Sequence, residues 1–442
     1  MLILITLLVL GLILLSIAKF DLHPFLALLG GAVIFGLIVG MPTELILQSI
    51  QEGFGNVIGN IGILILFGVI IGTILEKTGG GFVIAQKILK WVGEKSVTLT
   101  MFLSGWLLSI PIFADSTFIM MNPIAKSVSK KSGISYAVTV MAVALGATAS
   151  HSLVPPTPGP IATAGILNAD LGLIIFYGII ISLLTLIPSY IFVNKFVSKI
   201  PLEPIISESD SSEKENYQPS ALKSFAPVII PLILIVLASF AKYPSNPLGE
   251  GSHIPILIFI GHPIIALFIG ILLSLFLPKK FDKKIISSTG WMGESLLQAA
   301  PVIFITGAGG VFGKMLQNSG IGTWIGDELS TMGLGLFLPY LIAFSLKTSQ
   351  GSSTVAMITT ATIVQPLLGP LGLDSEIMRV FTTLAIGAGA MAISHANDSF
   401  FWALTQLSGM DIKKGNLTQS LGTLVLSFSA IIILLIITQI VL

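Results

Sequence analysis

Four polar strings interrupt otherwise apolar stretches of this chain, and each carries side chains able to hold an anion or move a proton. The first is Pro111-Ile-Phe-Ala-Asp-Ser-Thr117. A proline and an acid break an apolar run there. The exposed N–H groups of a following helix, with Asp115, Ser116 and Thr117, would present donors to an anion. The second is Ser150-His-Ser-Leu-Val-Pro-Pro-Thr-Pro-Gly-Pro160, whose four prolines within residues 155–160 forbid a helix. It reads as an unwound helix centre carrying His151 and Thr157. The third, Thr348-Ser-Gln-Gly-Ser-Ser-Thr354, is a hydroxyl-rich turn opening a helix. Ser352, Ser353 and Thr354 can hydrogen-bond a polyol or a carboxylate. The fourth is Ser394-His-Ala-Asn-Asp-Ser-Phe-Phe-Trp402. His395 and Asp398 can change protonation there, and Asn397 and Ser399 are neutral hydrogen-bonders. Each string also admits a plainer reading, as a solvated loop or a structural polar network. An aspartate at mid-bilayer costs roughly 2.5–3.5 kcal/mol on insertion scales.

The chain that holds these strings is built for lipid. Of its 442 residues 54% are hydrophobic and only 10% charged, and its mean hydropathy is +0.98. A chain so poor in charge cannot cover a water-facing surface, so the lipid bilayer must be its solvent. Net charge is +1, which gives no field for nucleic acid. With no cysteine, disulfides, thiolate catalysis and Cys-based metal sites are excluded. No zincin or nucleophile-elbow signature is present, and no metal or cofactor is expected. Glu76-Lys77-Thr78-Gly-Gly-Gly81 is no phosphate loop, and its glycines read as a helix end. Glu294 reads as a cap or interfacial charge, and His23, His253 and His262 as bland residues at helix ends or beside prolines.

The expected fold is an all-α polytopic membrane protein. Spans are expected near 2–18, 24–41, 59–75, 135–150, 171–193, 224–242, 255–277, 294–313, 377–394 and 417–441. Two further apolar regions, 97–131 and 333–372, have polar centres. Lys77, Lys87, Lys90 and Lys95 precede the first of them, and Lys126, Lys130 and Lys131 close it. A full span would put these clusters on opposite sides, against the positive-inside rule, whereas a re-entrant hairpin keeps them together. With both regions as hairpins and the N-terminus outside, 18 of 22 Lys+Arg become cytoplasmic. The exceptions are Lys242, Lys314, Lys347 and Arg379.

The chain also repeats. Gly72, Leu75, Gly79, Gly81 and Ile84 recur 241 residues later as Gly313, Leu316, Gly320, Gly322 and Ile325. At the same offset Ala144, Gly146, Ala147 and Asp170 match Ala385, Gly387, Ala388 and Asp411. Ser150-His151 matches Ser394-His395 after a shift of three. Five spans and a hairpin per half make an inverted-topology repeat: residues 1–193 with hairpin 97–131, a cytoplasmic linker 194–223 read as a disordered connector, and residues 224–442 with hairpin 333–372. About ten transmembrane helices, two hairpins and two broken helices result. Such repeats recur in secondary transporters, which bind substrate near the midplane between broken helices.

Gly72-Thr-Ile-Leu-Glu-Lys-Thr-Gly-Gly-Gly81, Ile112-Phe-Ala-Asp-Ser116, His151-Ser-Leu-Val-Pro-Pro-Thr-Pro-Gly-Pro160 and Ser394-His-Ala-Asn-Asp-Ser399 resemble the gluconate permease (gluconate:proton symporter) family. The resemblance covers nearly the whole chain. It implies proton symport of a small sugar-acid anion in the bacterial inner membrane, kinship with the ion-transporter superfamily and an elevator motion. Family members take gluconate, related aldonates and ketoaldonates such as ketodeoxygluconate, glycerate, or D-serine. A sodium-coupled carrier stays open as the nearest alternative, and so does a homodimer. On this reading the hairpin tips hold the substrate carboxylate through their Ser and Thr hydroxyls and helix N-termini. Thr157, Asn397 and Ser399 bond substrate hydroxyls. Asp115 or Asp398, helped by His151 or His395, takes the coupling proton.

Overall fold

In the computed structural model every element described is helical. The structure describes residues 22–92, 96–204, 218–241, 251, 253–280, 282–319, 334–395 and 398–441, with scattered positions between 5 and 20. The expected first span, 2–18, and the centre of the linker, 205–217, therefore lie largely outside the described residues, as do the repeat positions Gly320, Gly322 and Ile325.

The first half opens with α1 (Pro24–Val39), α2 (Thr43–Lys77) and α3 (Gly80–Val92). Pro24 occupies the first turn of α1, where its missing N–H leaves no bond unmade. Helix α2 begins well before the expected span and runs for 35 residues. That is about 52 Å at 1.5 Å per residue, longer than the ~30 Å hydrocarbon core. It ends where the glycine run predicts, at Thr78 and the left-handed Gly79.

Next come two helices folded back on each other, α4 (Val97–Leu108) and α5 (Ala114–Ser132). Their joint, 109–113, holds Pro111, which cannot continue the ladder. Asp115 stands in the first turn of α5, where the helix dipole favours an anion. Helix α6 (Tyr136–Leu153) lies at the centre, with every side chain but His151 buried. Its small residues allow backbone contact. A Cβ on Gly146 would sit 2.2 Å from the Phe102 carbonyl oxygen, and one on Gly105 of α4 would sit 2.3 Å from that of Val143. The prolines then break the helix. Val154 turns extended, and the chain resumes as α7 (Pro158–Leu167) with Pro158 in its first turn. Helix α8 (Leu171–Lys195) starts on Asp170, whose side chain accepts from the Leu173 N–H at 2.7 Å.

Every described element of the second half of the chain is also helical. Helix α9 (Ala221–Ala241) leads to α10 (His253–Ile260) and α11 (Pro263–Ser274). The last two were expected as one span, yet they are bent by 67°. The cause is Pro263, which drives His262 out of the helical region (ψ 130°). Then come α12 (Trp291–Asn318), the folded-back pair α13 (Phe337–Gln350) and α14 (Ser353–Val364), the pieces α15 (Glu376–Gly389) and α16 (Ser399–Ser408), and α17 (Leu421–Val441). Gly351 turns between α13 and α14 at φ +84°, a conformation a side chain would resist. Ser352 then caps α14 by accepting from the Val355 N–H. Residues 390–398 separate α15 from α16, in place of the expected end of a span at 394.

Among the described residues six helices are long and apolar enough to cross a membrane, or seven with the bent α10–α11 pair. Contacts run crosswise between the halves. Helix α1 packs on α12 and α11 on α2; α7 packs on α14 and α16 on α5; α8 touches α15 and α17 touches α6. Helices α2 and α12 cross where a Cβ on Gly53 would meet the Gly310 carbonyl at 2.5 Å. The joints between helix pieces thereby converge beside α2 and α12.

Candidate functional site: a cavity between two hairpin tips

A cavity of about 590 Å³ lies where the joints converge. The tip of the first pair contributes Phe113 to Ser116, and the tip of the second contributes Lys347 and Gly351 to Val355. Helix α6 adds Thr148, His151 and Ser152, and the second break adds Ser394, Asp398 and Ser399. One wall is α12, through Gln298, Pro301, Val302 and Ile305. Hydroxyls, two carboxylates, one ammonium and an imidazole thus face a space of the size small-molecule sites occupy, about 300–1,000 Å³.

The charges form a connected set. Lys347 is buried; its Nζ donates to Asp398 Oδ2 at 2.6 Å and also to the Gly351 carbonyl. Ser394 Oγ donates to the same carboxylate oxygen at 2.5 Å. Asp398 Oδ1 accepts from the Phe400 N–H at 3.0 Å, which caps α16. Ser399 Oγ reaches Asp115 Oδ2 across the cavity at 3.3 Å. The ring of His151 leans on Phe113, with centroids 5.9 Å apart, and its Nδ1 is buried without a partner. Outside the cavity the exposed Glu76 hydrogen-bonds Ser116. Glu294, in the first turn of α12, pairs with Lys77 at 3.0 Å.

Of the residues singled out from sequence, Asp115, Ser116, His151, Ser352, Ser353, Thr354, Asp398 and Ser399 meet at this cavity. Three described ones do not line it. Thr117 is buried in α5. Thr157 turns its hydroxyl back onto the carbonyls of His151 and Val154, both at 2.9 Å, and so closes the break rather than facing the space. His395 hydrogen-bonds the Thr348 carbonyl through Nε2 at 2.8 Å, which fastens the second break to the second tip. Asn397 lies outside the described residues.

Sequence reasoning passed over Lys347, Gln298 and Gln419. Lys347 left a signal, as one of four cations that violated the sidedness count. Two of the others are surface pairs: Lys314 with Glu52 at 3.2 Å and Arg379 with Asp374 at 2.8 Å. Gln419 lies in a π-helical stretch, Asn416–Ser420, and lines the cavity; both its amide atoms are buried without partners. Nothing in a single sequence marks such a glutamine.

A cavity lined by hydroxyls and charged side chains between interrupted helices of a multi-pass bundle is the kind of site a membrane transporter uses. The chain belongs to the GntP permease family, whose model matches residues 1–441. It is 33% identical over 439 residues to a gluconate permease of Pseudomonas aeruginosa, covering 97% of this chain and 96% of that one. An inner membrane permease of Escherichia coli, YgbN, is 32% identical over 447 residues, covering 95% of each. The Gnt-II system L-idonate transporter of the same organism is 31% identical over 400 residues, covering 89% of each. In fold, the chain resembles the crystal structure of the Alcanivorax borkumensis YdaH transporter, at a TM-score of 0.69 and 12% identity, over 93% of this chain and 98% of that one.

Proposed function

We propose that this permease is a proton-coupled importer of a small sugar acid, gluconate or a related aldonate, in the bacterial inner membrane. The observation that carries the reading is the cavity itself. Its two tips offer the hydroxyls of Ser116, Ser352, Ser353 and Thr354 and the N-terminal N–H groups of α5 and α14. That is a donor set for a carboxylate with a polyol tail. The relatives that are a gluconate permease and an L-idonate transporter point to the same class of solute.

The two halves are inverted repeats on this reading, with ten spans, and the pairs α4–α5 and α13–α14 are re-entrant hairpins. The crosswise contacts support it, because a two-fold axis in the membrane plane would generate each pair from its counterpart. The hairpins and broken helices move as one body against α2 and α12, an elevator motion that carries the solute between the two faces. The decisive test is uptake of radiolabelled gluconate into proteoliposomes with an inward proton gradient and no sodium. Accumulation that an uncoupler abolishes supports the proposal. Uptake that requires sodium refutes the proton coupling. No gluconate uptake but accumulation of labelled glycerate, ketodeoxygluconate or D-serine moves the solute to another hydroxy or amino acid.

A further inference from the structure

We infer that Asp115 carries the coupling proton and that Asp398 stays an ionised positioning residue; the inference rests on the proton-symport reading. The two carboxylates have opposite surroundings. Every contact of Asp398 brings it a donor: the Lys347 ammonium and the Ser394 hydroxyl on Oδ2, and the Phe400 N–H on Oδ1. A proton on Oδ1 would face the Phe400 N–H. A proton on Oδ2 would displace Lys347 and leave a buried ammonium with the Gly351 carbonyl. Both arrangements strand a buried polar group.

Asp115 instead meets the hydroxyl of Ser399. A serine hydroxyl donates to a carboxylate and, after rotation, accepts from a carboxylic acid, so this contact survives either protonation state. Asp115 also lines the cavity directly, on the first tip, and is reached from it without disturbing another bond.

Charge balance gives the coupling. The groups facing Asp115 are Asp398 and Lys347, which offset each other, His151 across the cavity, and Glu76 beyond Ser116 with the Lys77–Glu294 pair beside it. With neutral His151 and ionised Asp115 the cavity holds one net negative charge. A carboxylate solute would make it two. One proton added to Asp115 from the outer solution restores the original charge, and it leaves to the cytoplasm when the solute does.

The test uses proteoliposomes under a gradient of about two pH units, with the membrane potential clamped at zero. One proton per monovalent anion then sets an accumulation limit of about 100-fold. Wild-type protein that fails to accumulate sinks the symport reading itself, not this assignment. With wild type accumulating, Asp115→Asn is expected to exchange labelled for unlabelled solute while its accumulation ratio falls to about 1. Accumulation by Asp115→Asn overturns the inference. If that variant neither exchanges nor accumulates, the charge-neutral double variant Lys347→Met/Asp398→Asn decides. Uphill, uncoupler-sensitive uptake by it, at whatever rate, supports Asp115. Exchange without accumulation assigns the proton to Asp398 and overturns the inference, and no transport by either variant overturns it as well.

Discussion

Replacing Lys347 by methionine isolates the buried ion pair at the heart of the cavity. The side chains of Lys347 and Asp398 are only 4% and 8% exposed, and their contact distance is 2.6 Å. Even at an effective dielectric of 20, unit charges at that separation attract by about 6 kcal/mol. Desolvation offsets much of this when the pair forms, but deleting one partner leaves the other charge buried. Lys347→Met should therefore cost about 3–5 kcal/mol of unfolding free energy. Asp398→Asn should cost a similar amount, since it strands the ammonium. The double variant removes both charges and should cost far less than the two singles together. The assay is a double-mutant cycle on detergent-solubilised protein, with unfolding followed in mixed micelles of increasing denaturing-detergent fraction. Lys314→Met is the control, because its partner Glu52 is solvent-facing, and it should be nearly silent. Additive costs in the Lys347–Asp398 cycle, or a Lys347→Met effect no larger than the control, would refute a buried, coupled pair.

Three further substitutions separate solute contact from scaffold. Gln419→Leu removes two buried, unpartnered amide atoms from the cavity wall; it should weaken gluconate binding about 2- to 12-fold per hydrogen bond lost, read as a competition constant in exchange assays. Thr157→Val should lower stability by about 1–3 kcal/mol by stranding the carbonyls at the first break, whereas Thr157→Ser should not; a thermal unfolding series distinguishes them, with solute affinity similar in both. Gly72→Ala should cost about 1–3 kcal/mol, because its Cβ would lie 2.3 Å from the Pro111 carbonyl oxygen of the first tip; Gly55→Ala in the same helix meets open space and should be tolerated, as detergent thermostability would register.

Much of this architecture could be read from sequence because its causes are local. Prolines 155, 156, 158 and 160 remove backbone donors wherever they stand, so the break after Leu153 needed no tertiary information. The lysines around 97–131 argued against a single span there, and two helices, 97–108 and 114–132, occupy the region with a break at Pro111. The bend at His262 was equally local, yet one proline at the start of a hydrophobic run looked like an ordinary first-turn proline. What stayed hidden was how side chains turn. Thr157 and His395 sit in the right strings, but backbone carbonyls claim them. Lys347 sits one residue before its string and points into the cavity, and Gln419 reaches it from the short π-helical stretch Asn416–Ser420 that leads into the last helix.

The two breaks carry different charge. Thr157 and Asp398 both stand at the N-cap of the second piece of a broken helix, 241 residues apart. At the first cap sits a neutral hydroxyl turned inward on the backbone. At the second sits a carboxylate that draws in Lys347 from one tip, while its neighbour Ser399 meets Asp115 of the other. Both tips thus bear on the N-terminus of α16, although their helices come from opposite halves of the chain. A solute carboxylate entering between them meets a fixed ion pair on one side and a carboxylate with a reversible partner on the other. On the proposed mechanism, protonation on the Asp115 side alone alters the charge the solute sees, while Lys347 holds the second tip to the cap of α16.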